Sequence, residues 1–382
     1  MRYLDSFLLR DLKKKMVLLS GPRQCGKTTF AKWLLKEKLR GEYLNWDQPK
    51  DRKKIQSQDW DESASLIVFD EIHKKKSWKN FLKGIYDTKP DPMNFLVTGS
   101  ARLELFQKSG DSMFGRFYSW RMHPFCASED PLDLPISERW DRLLHQGNFP
   151  IPYLSRDQTE IDRWRNQRWN LLLREDLRDL ENVKDIQALE LMAELLKNYA
   201  GGMLSYSNLA EDVEVAPKTI KRWIQILEKL YLIYLITPYS RSLKRSISKT
   251  PKVYFMDSGD LSEQNMGQKV ENLVMLNLLK RVHFLEDSTG ERLELHYLRD
   301  KEGREVDFVI TLKQKPVALI EVKTGDTLPT PSLLHFKEYL HISHAIQLHT
   351  NSKKKAFTKN GVRIISAQEF FSTPVSTPKF WE

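Results

Sequence analysis

A glycine-rich segment near the N-terminus has the residue types and spacing of a loop that binds phosphate groups. It follows the apolar run MVLLS and precedes the amphipathic run KTTFAKWLLKEKL, so a strand is expected to turn into a helix there. Glycines let backbone N–H groups surround phosphate oxygens, the lysine reaches the β and γ oxygens, and the threonine hydroxyl can bind magnesium. The segment predicts a nucleotide and Mg²⁺ site formed by Gly21, Pro22, Arg23, Gln24, Cys25, Gly26, Lys27, Thr28 and Thr29.

Two acidic residues, Asp70 and Glu71, end the apolar run LIVFDE about 40 residues after this loop. At such a position an aspartate can hold the magnesium shell, and a glutamate can polarise the attacking water. An Asp-Glu pair at a strand end is common on protein surfaces, so this pair indicates a functional site only because it follows the predicted phosphate loop. Together the two motifs predict hydrolysis rather than binding alone.

Three further residues are candidates for the same site. The run NFLVTGS predicts a strand whose polar end lies at the ligand-binding edge of the sheet, where Thr98 or Ser100 would sense the γ-phosphate. Alternatively, Ser100 caps a helix that begins near Ala101. Arg116 is expected either to supply positive charge to a neighbouring subunit's transition state, as arginine fingers do, or to lie on the surface.

A second group of charged residues occurs in the C-terminal third of the chain. Glu271 lies in a predicted helix, Asp307 in the predicted strand EVDFVIT, and Glu321 and Lys323 in IEVK. Strand alternation puts Glu321 and Lys323 on one face, where the carboxylate can hold magnesium beside Asp307 while the ammonium orients a water.

This group resembles the PD-(D/E)xK core of restriction-endonuclease-like proteins, which implies metal binding by Glu271, Asp307 and Glu321 and phosphodiester cleavage. Two alternatives remain open. The residues are either an exposed face with a chance Glu-Val-Lys spacing, or part of a nuclease-like fold that recognises DNA or a partner without cleavage.

The elements that must position these residues follow from the pattern of apolar runs. Residues 16–126 alternate short strands with amphipathic helices, which predicts an α/β domain with a parallel sheet. Apolar residues at spacings of three and four predict helices from Arg139 to about Ala200. The expected domains are an ATPase-type domain (1–135), a helical lid or linker (136–200), a winged helix-turn-helix (201–252) and a nuclease-like α/β domain (253–382).

The winged helix is predicted from a helix, a short turn and a second helix between Leu204 and Trp223, with Ser207 as a cap and Pro217 in the first turn of the second helix. Five basic residues and no acid follow from Arg241 to Lys252, where a wing is expected. In the nucleic-acid interpretation, phosphates contact Lys218, Lys221 and Arg222 on the second helix and Arg241, Lys244 and Arg245 on the wing. The alternative is a protein-docking module.

Composition restricts the classes of protein to which the chain can belong. It has 382 residues, 61 Lys and Arg against 51 Asp and Glu, and a net charge of +10, which favours phosphate-bearing partners. Its two cysteines, Cys25 and Cys126, are too few for a disulfide scaffold or a zinc site and favour a reducing cytoplasm. The first 15 residues lack the features of a signal peptide, and no apolar run is long enough to span a membrane.

In the order of its motifs, the chain resembles a bacterial and archaeal group of two-part AAA+ (P-loop) ATPases with a C-terminal region of unknown function. The segments that carry the resemblance are GPRQCGKTT, FDEIHK, VTGSARLEL, the Gly115-Arg116 pair before HPF, QGNFP, PKVYFMDSG, REVDFV and IEVK. The resemblance implies ATP as ligand, Mg²⁺ as cofactor, and oligomerisation, since AAA+ modules commonly form rings in which the Arg116 region reaches a neighbour's nucleotide.

Two functional hypotheses follow. The first is an ATP-hydrolysing AAA+ protein that acts on DNA through its winged helix and nuclease-like sheet. The second is a nucleotide-dependent scaffold or switch whose C-terminal domain is an interaction module without catalysis. A small-molecule kinase is disfavoured, because no acceptor-binding lid is evident and two further domains follow.

Overall fold

The computed structural model describes residues 2–99, 113, 115–173, 185–240, 250–325 and 328–382. The chain divides into two compact units, Met1–Pro124 and Phe125–Glu382. The expected end of the first domain at residue 135 stays a prediction. The finer division of the second unit into three domains stays a prediction.

The first unit contains a five-stranded sheet with helices. Its strands lie in the order β2-β3-β4-β1-β5 and all pair in parallel, as the sequence pattern predicts. The elements are α1 (Asp5–Leu12), β1 (Met16–Ser20), α2 (Lys27–Glu37), β2 (Gly41–Asn45), α3 (Pro49–Ser57), β3 (Leu66–Asp70), α4 (Trp78–Thr88), β4 (Asn94–Thr98) and β5 (Phe117–Arg121).

The three central strands β3, β4 and β1 are buried along their whole length. This burial explains their continuous apolar sequences, because helices cover both faces of a parallel sheet. The rings of Phe69 and Phe95 stack with centroids 5.6 Å apart, and Trp60 contacts both of them edge-on. The apolar strands thereby bring the polar residues at their carboxyl ends to one edge of the sheet.

The second unit begins with helices and ends with a mixed sheet. Its helices are α5 (Ile136–His145), α6 (Pro150–Leu154), α7 (Gln158–Leu171), α8 (Ile186–Leu195), α9 (Tyr206–Asp212), α10 (Pro217–Lys229), α11 (Met266–Thr289), α12 (Pro331–Leu340) and α13 (Ala367–Phe370). Its strands are β6 (Ile233–Ile236), β7 (Lys252–Phe255), β8 (Leu293–Arg299), β9 (Glu305–Leu312), β10 (Lys315–Lys323), β11 (His344–His349), β12 (Phe357–Lys359) and β13 (Val362–Ser366).

Helices α9 and α10 pack on a two-stranded antiparallel sheet of β6 and β7. Ile220, Trp223 and Ile224 form the buried face of α10 and lie in one apolar cluster with Val253 of β7. Pro217 opens α10, as predicted. The predicted cap of α9 is wrong: Ser205 rather than Ser207 accepts the N–H of Asn208, because the helix begins two residues earlier than the pattern suggests.

The six-stranded sheet has the order β12-β13-β11-β10-β9-β8. Strands β8, β9 and β10 form an antiparallel meander, while β11 is parallel to both β10 and β13. The turns DKEG and KQKP, recognised in the sequence, connect the meander strands. As a result, Asp307 on β9 and Glu321 on β10 lie on neighbouring strands.

A buried polar network explains the motifs QGNFP and FMDSG. The N–H of Asn148 donates to Asp257 Oδ1 at 2.7 Å, and a Cβ at position 147 would lie only 2.4 Å from that same oxygen. Gly147, with φ of 103°, is therefore required there. Asp260 accepts hydrogen bonds from Arg168 and Trp169, both at 3.0 Å, so its buried charge is paired.

Within the described ranges, no helix has both the length and the apolar character needed to cross a membrane. The cytoplasmic location expected from the sequence stays a prediction.

Candidate functional site

The predicted phosphate loop connects β1 to α2 at the edge where the sheet's strands end. Gly21 has φ of 149°, and a Cβ there would lie 2.2 Å from the carbonyl oxygen of Met122, so no side chain fits. Gln24 and Gly26 have φ of 62° and 102°, values in the left-handed region. These positive angles turn the backbone sharply just before the helix N-terminus, the geometry expected of a loop that surrounds an anion.

Lys27 opens helix α2 and is 8% exposed. Its ammonium donates to the carbonyl oxygens of Gly21 at 2.9 Å and Pro22 at 2.6 Å. Among the described residues, no carboxylate lies within salt-bridge distance of it. An ammonium without an acidic partner, beside a glycine loop, fits the phosphates of a nucleotide.

The other residues of the loop differ in exposure. Gln24, Thr28 and Thr29 are exposed, and Arg23 and Gly26 are half-buried. Cys25 is fully buried, with its thiol donating to the carbonyl oxygen of Met122 at 3.4 Å. Cys25 and Cys126 are both unpaired cysteines, as the sequence predicts.

Asp70, at the end of β3, is the centre of a group of hydroxyl donors. Thr28 Oγ1 donates to Asp70 Oδ2 at 2.8 Å, and Thr98 Oγ1 donates to Asp70 Oδ1 at 2.6 Å. Tyr43, on β2, also donates its hydroxyl to Asp70 Oδ2. Three oxygen-bearing side chains thus meet at one carboxylate, and the oxygens of Thr28 and Asp70 are of the kind that Mg²⁺ prefers.

No sequence motif pointed to Tyr43. It lies in the predicted strand EYLNW, two residues before Asn45, which pairs in register with Asp70. The signal that would have found it is the parallel order of the strands, since their polar ends meet at one edge of the sheet.

Glu71 follows directly, with φ of 57°. One of its carboxylate oxygens lies 3.5 Å from His73 Nε2 and 3.8 Å from Lys74 Nζ. Burial, and then the charge of Asp70, raises the pKa of the Glu71 carboxyl, against the opposing effects of Lys74, Lys27 and Arg23. A carboxylate with a raised pKa beside the loop has the chemistry of a proton acceptor for water.

The remaining predicted residues of this unit are not brought to the loop by contacts that the structure describes. Ser100 lies outside the described residues. The guanidinium of Arg116 forms an ion pair with Asp87, with Nε 2.7 Å from Oδ1 and Nη2 3.0 Å from Oδ2. Its role as an arginine finger stays a prediction.

In the second unit, the structure brings Glu271 and Asp307 together around Lys252, a residue that no sequence motif links to them. The ammonium of Lys252 lies 3.4 Å from Glu271 Oε1, 2.6 Å from Glu305 Oε1 and 3.8 Å from Asp307 Oδ1. The hydroxyl of Tyr254 donates to Glu271 Oε1 at 2.7 Å. We call Lys252, Glu271, Glu305, Asp307 and Glu321 the acidic cluster.

Glu321 and Lys323 form an ion pair of 2.7 Å on β10, as strand alternation predicts. The backbone N–H of Val322 donates to Asp307 Oδ2 at 2.8 Å. Burial raises the pKa of Glu271 to about 8 and that of Glu321 to about 7, with the charge of Asp307 adding to both effects. In the part of the chain that the structure describes, no three His, Cys, Asp or Glu side chains form a group that could hold a metal ion.

Helix α10 presents basic side chains to solvent. Lys218, Lys221, Arg222 and Lys229 are exposed, on the side opposite the buried Trp223 and Ile224. The predicted wing residues Arg241, Lys244 and Arg245 lie outside the described residues. Lys252, counted in the sequence with the basic residues of the expected wing, is instead 2% exposed at the start of β7.

Two uncharacterized bacterial proteins are similar to most of this chain. One, from Mycobacterium tuberculosis, is 25% identical over 321 residues, which cover 82% of this chain and 71% of the relative. The other, from Haemophilus influenzae, is 22% identical over 363 residues, which cover 84% of this chain and 86% of the relative. Among solved structures, the Aeropyrum pernix ORC1 protein in complex with DNA has a TM-score of 0.34 and 14% identity, covering 72% of this chain and 90% of that chain.

Three family models match successive parts of the chain. The match over residues 137–267 is described as a domain of unknown function, DUF8612. The N-terminal match, over residues 13–130, is described as an AAA domain, and the match over residues 266–370 as a domain of unknown function, DUF4143. The winged helix and the nuclease-like core stay predictions. At the level of its parts, the chain is similar to an AAA domain followed by regions of unknown function, which confirms the expected two-part order.

Proposed function

We propose that the N-terminal unit binds and hydrolyses ATP, and that the chain couples this hydrolysis to binding of nucleic acid. The hydrogen bond from Thr28 to Asp70 carries the first part of the proposal, because it joins the phosphate loop to the acidic end of β3. The match of residues 13–130 to an AAA domain supports it independently.

Each residue of the site has a role in this proposal. Backbone N–H groups of residues 21–29 and the Lys27 ammonium bind the phosphates, while Thr28 and Asp70 hold Mg²⁺. The bound metal neutralises charge that develops on the phosphate oxygens. Glu71 accepts a proton from the attacking water, and Thr98 keeps Asp70 in position through its 2.6 Å hydrogen bond.

Two residues extend the proposal beyond a single chain. Ser100 follows Thr98 and is a candidate to contact the terminal phosphate. Arg116 is proposed to reach the nucleotide of a neighbouring subunit in a homo-oligomeric ring. Because Arg116 pairs with Asp87 in the single chain, it must exchange this carboxylate for a phosphate on assembly.

Replacing Lys27 with Ala tests the ATPase. We expect ATP turnover by the purified protein to fall by at least about 100-fold, since the charge that binds and stabilises the phosphates is lost. Lys36→Ala, on the same helix but with its side chain 82% exposed, is the matched control and should retain the activity of the wild type. Unchanged turnover in Lys27→Ala would refute the assignment of the loop.

For the second part, we propose that the exposed basic residues of α10 bind the phosphates of DNA. Lys218, Lys221 and Arg222 lie near the N-terminal end of α10, the part of a recognition helix that enters the major groove. The net charge of +10 favours the same kind of partner.

Replacing Lys221 and Arg222 together with Ala should weaken DNA binding at low salt. It should also reduce the slope of log affinity against log salt by about 2, because about one counterion is released per phosphate contact. Lys13→Ala with Lys14→Ala is the control pair of exposed lysines outside α10. An unchanged slope would instead favour a protein-docking role for this helix.

A nucleotide-dependent scaffold is the second candidate function. In it, residues 253–382 bind a partner without cleaving nucleic acid. The ion pairs that lysines form with Glu271 and Glu321 favour this alternative over a metal-dependent nuclease at Asp307, Glu321 and Lys323.

A further inference from the structure

The strongest unassigned feature is a buried lysine in the acidic cluster. Lys252 is 2% exposed, and its ammonium contacts carboxylates from α11 and β9. From this arrangement we infer that Lys252 takes the place of a divalent cation in the acidic cluster. The cluster therefore binds no metal, and the second unit acts on its partner without hydrolysing phosphodiester bonds. This inference does not depend on the proposed ATP hydrolysis.

In each of the three carboxylates that a metal would need, at least one oxygen already has a donor. Asp307 Oδ2 accepts the N–H of Val322 at 2.8 Å, and its Oδ1 faces the Lys252 ammonium at 3.8 Å. Glu271 Oε1 accepts the Tyr254 hydroxyl at 2.7 Å and lies 3.4 Å from Lys252 Nζ. Glu321 Oε1 pairs with Lys323 at 2.7 Å. A metal would have to displace these donors from several elements at once.

The charges of the acidic cluster also disfavour a bound metal. A buried carboxylate costs several kcal/mol of desolvation unless a cation or hydrogen bonds compensate it, and Lys252 supplies one such cation to three carboxylates. A divalent ion bound by Asp307 would lie within a few ångströms of the Lys252 ammonium, and the two positive charges would repel each other in this poorly solvated region. Mg²⁺ also requires nearly octahedral oxygen ligation, whereas Glu271 Oε1 and Glu321 Oε1 are already paired with lysines.

Lys252 is also held in place by its own strand. It begins β7, which pairs with β6, and its backbone pairs with Met203 in an isolated bridge. A Cβ at Gly201 would lie 3.2 Å from the carboxylate of Glu271, so the backbone packs closely on this side of the cluster as well. These pairings fix the backbone from which the Lys252 side chain reaches the carboxylates.

Glu321 Oε2 is an oxygen that a cation could still approach, since it is buried and has no hydrogen-bond partner in the described part of the chain. The experiment is therefore a titration of the nucleotide-free full chain with Mn²⁺, with bound and free ion separated by electron paramagnetic resonance. We expect the wild type to show no saturable site that Asp307→Asn or Glu321→Gln removes. The Asp70→Asn variant identifies any Mn²⁺ held at the phosphate loop.

Lys252→Ala should gain a Mn²⁺ site at least roughly tenfold tighter than any in the wild type, and adding Asp307→Asn to it should remove that site again. Circular dichroism establishes whether Lys252→Ala is folded. If Lys252→Ala does not fold, the inference is tested with a cleavage assay. The wild type and Asp307→Ala are each incubated with single- and double-stranded DNA and RNA in the presence of Mg²⁺ or Mn²⁺. We expect wild type and Asp307→Ala to give identical products. Mn²⁺ binding by the wild type that Glu321→Gln abolishes, or cleavage that Asp307→Ala abolishes, would overturn the inference.

Discussion

Two buried lysines, one in each unit, lie in opposite surroundings. The Lys27 ammonium contacts carbonyl oxygens at 2.9 Å and 2.6 Å, and no described carboxylate lies within salt-bridge distance of it. The Lys252 ammonium lies among three carboxylates, the nearest at 2.6 Å. In our proposal the charge of Lys27 binds the phosphates of ATP, whereas the charge of Lys252 is balanced by carboxylates within the fold. Burial alone therefore does not identify a functional lysine, and the charge of its nearest neighbours does.

The largest expected effect tests the structural half of this comparison. Lys252→Ala should lower the free energy of unfolding by about 3–5 kcal/mol, because it leaves buried carboxylates without their cation. Lys27→Ala should lower the free energy of unfolding less, because the carbonyl oxygens that lose their donor are neutral. Urea denaturation followed by circular dichroism measures both variants.

Lys315→Ala, at the exposed start of β10, is the control and should change the free energy of unfolding by no more than about 0.5 kcal/mol. If Lys252→Ala is as stable as this control, the ammonium does not neutralise the cluster and the contrast with Lys27 disappears.

A smaller effect is expected from the change that tests the proposed catalytic role of Glu71. Glu71→Gln should lower kcat for ATP by about 100-fold or more and leave KM nearly unchanged, because the amide cannot accept the proton of water. Burial and the Asp70 charge raise the pKa of Glu71, and the base acts only when ionised. The rate of the wild type should therefore fall, as the pH decreases, at a higher pH than an ordinary glutamate would set.

Exposed Glu62 provides the matched control, since Glu62→Gln should preserve both the rate and its pH profile. A wild-type profile whose acid limb persists in Glu71→Gln would assign that limb to another group.

The smallest effect concerns the tyrosine beside the loop. Tyr43→Phe removes one hydrogen bond to Asp70 and should lower kcat by about tenfold. It should also raise the Mg²⁺ concentration that gives half-maximal rate, since Asp70 loses a donor that orients it. Tyr86→Phe on α4 is the control. Loss of activity without any change in Mg²⁺ requirement would contradict the positioning role of Tyr43.

Much of the first site was predictable because its residues are consecutive in sequence. The loop at 21–29 and the pair Asp70 and Glu71 each follow an apolar strand, and a short contiguous pattern fixes both the backbone and the side chains. Tyr43 was not predictable in this way. An aromatic residue in a strand is typical of a core, and only the strand order brings it to Asp70.

In the second unit, the sequence predicted the helix of Glu271 and the strands of Asp307 and Glu321, and the structure confirms these elements. It did not predict that Lys252, more than 50 residues before Asp307, contacts the carboxylates of Glu271 and Asp307. Lys252 follows several basic residues and looks like one of an exposed group. Its burial depends on the pairing of β7, which is a long-range property that local charge patterns do not encode.

The thiol of Cys25, inside the predicted phosphate loop, is fully buried, so its rate of alkylation can report opening of the loop. An alkylating reagent reaches it only while the loop is open, so the rate of modification reports how often the backbone there departs from its closed form. Added nucleotide should lower the rate of alkylation of Cys25 in proportion to the fraction of loops that hold nucleotide. The rate of alkylation of the buried Cys126, which belongs to the other unit, should not change with nucleotide. Comparing the two rates therefore distinguishes local opening of the loop from general unfolding.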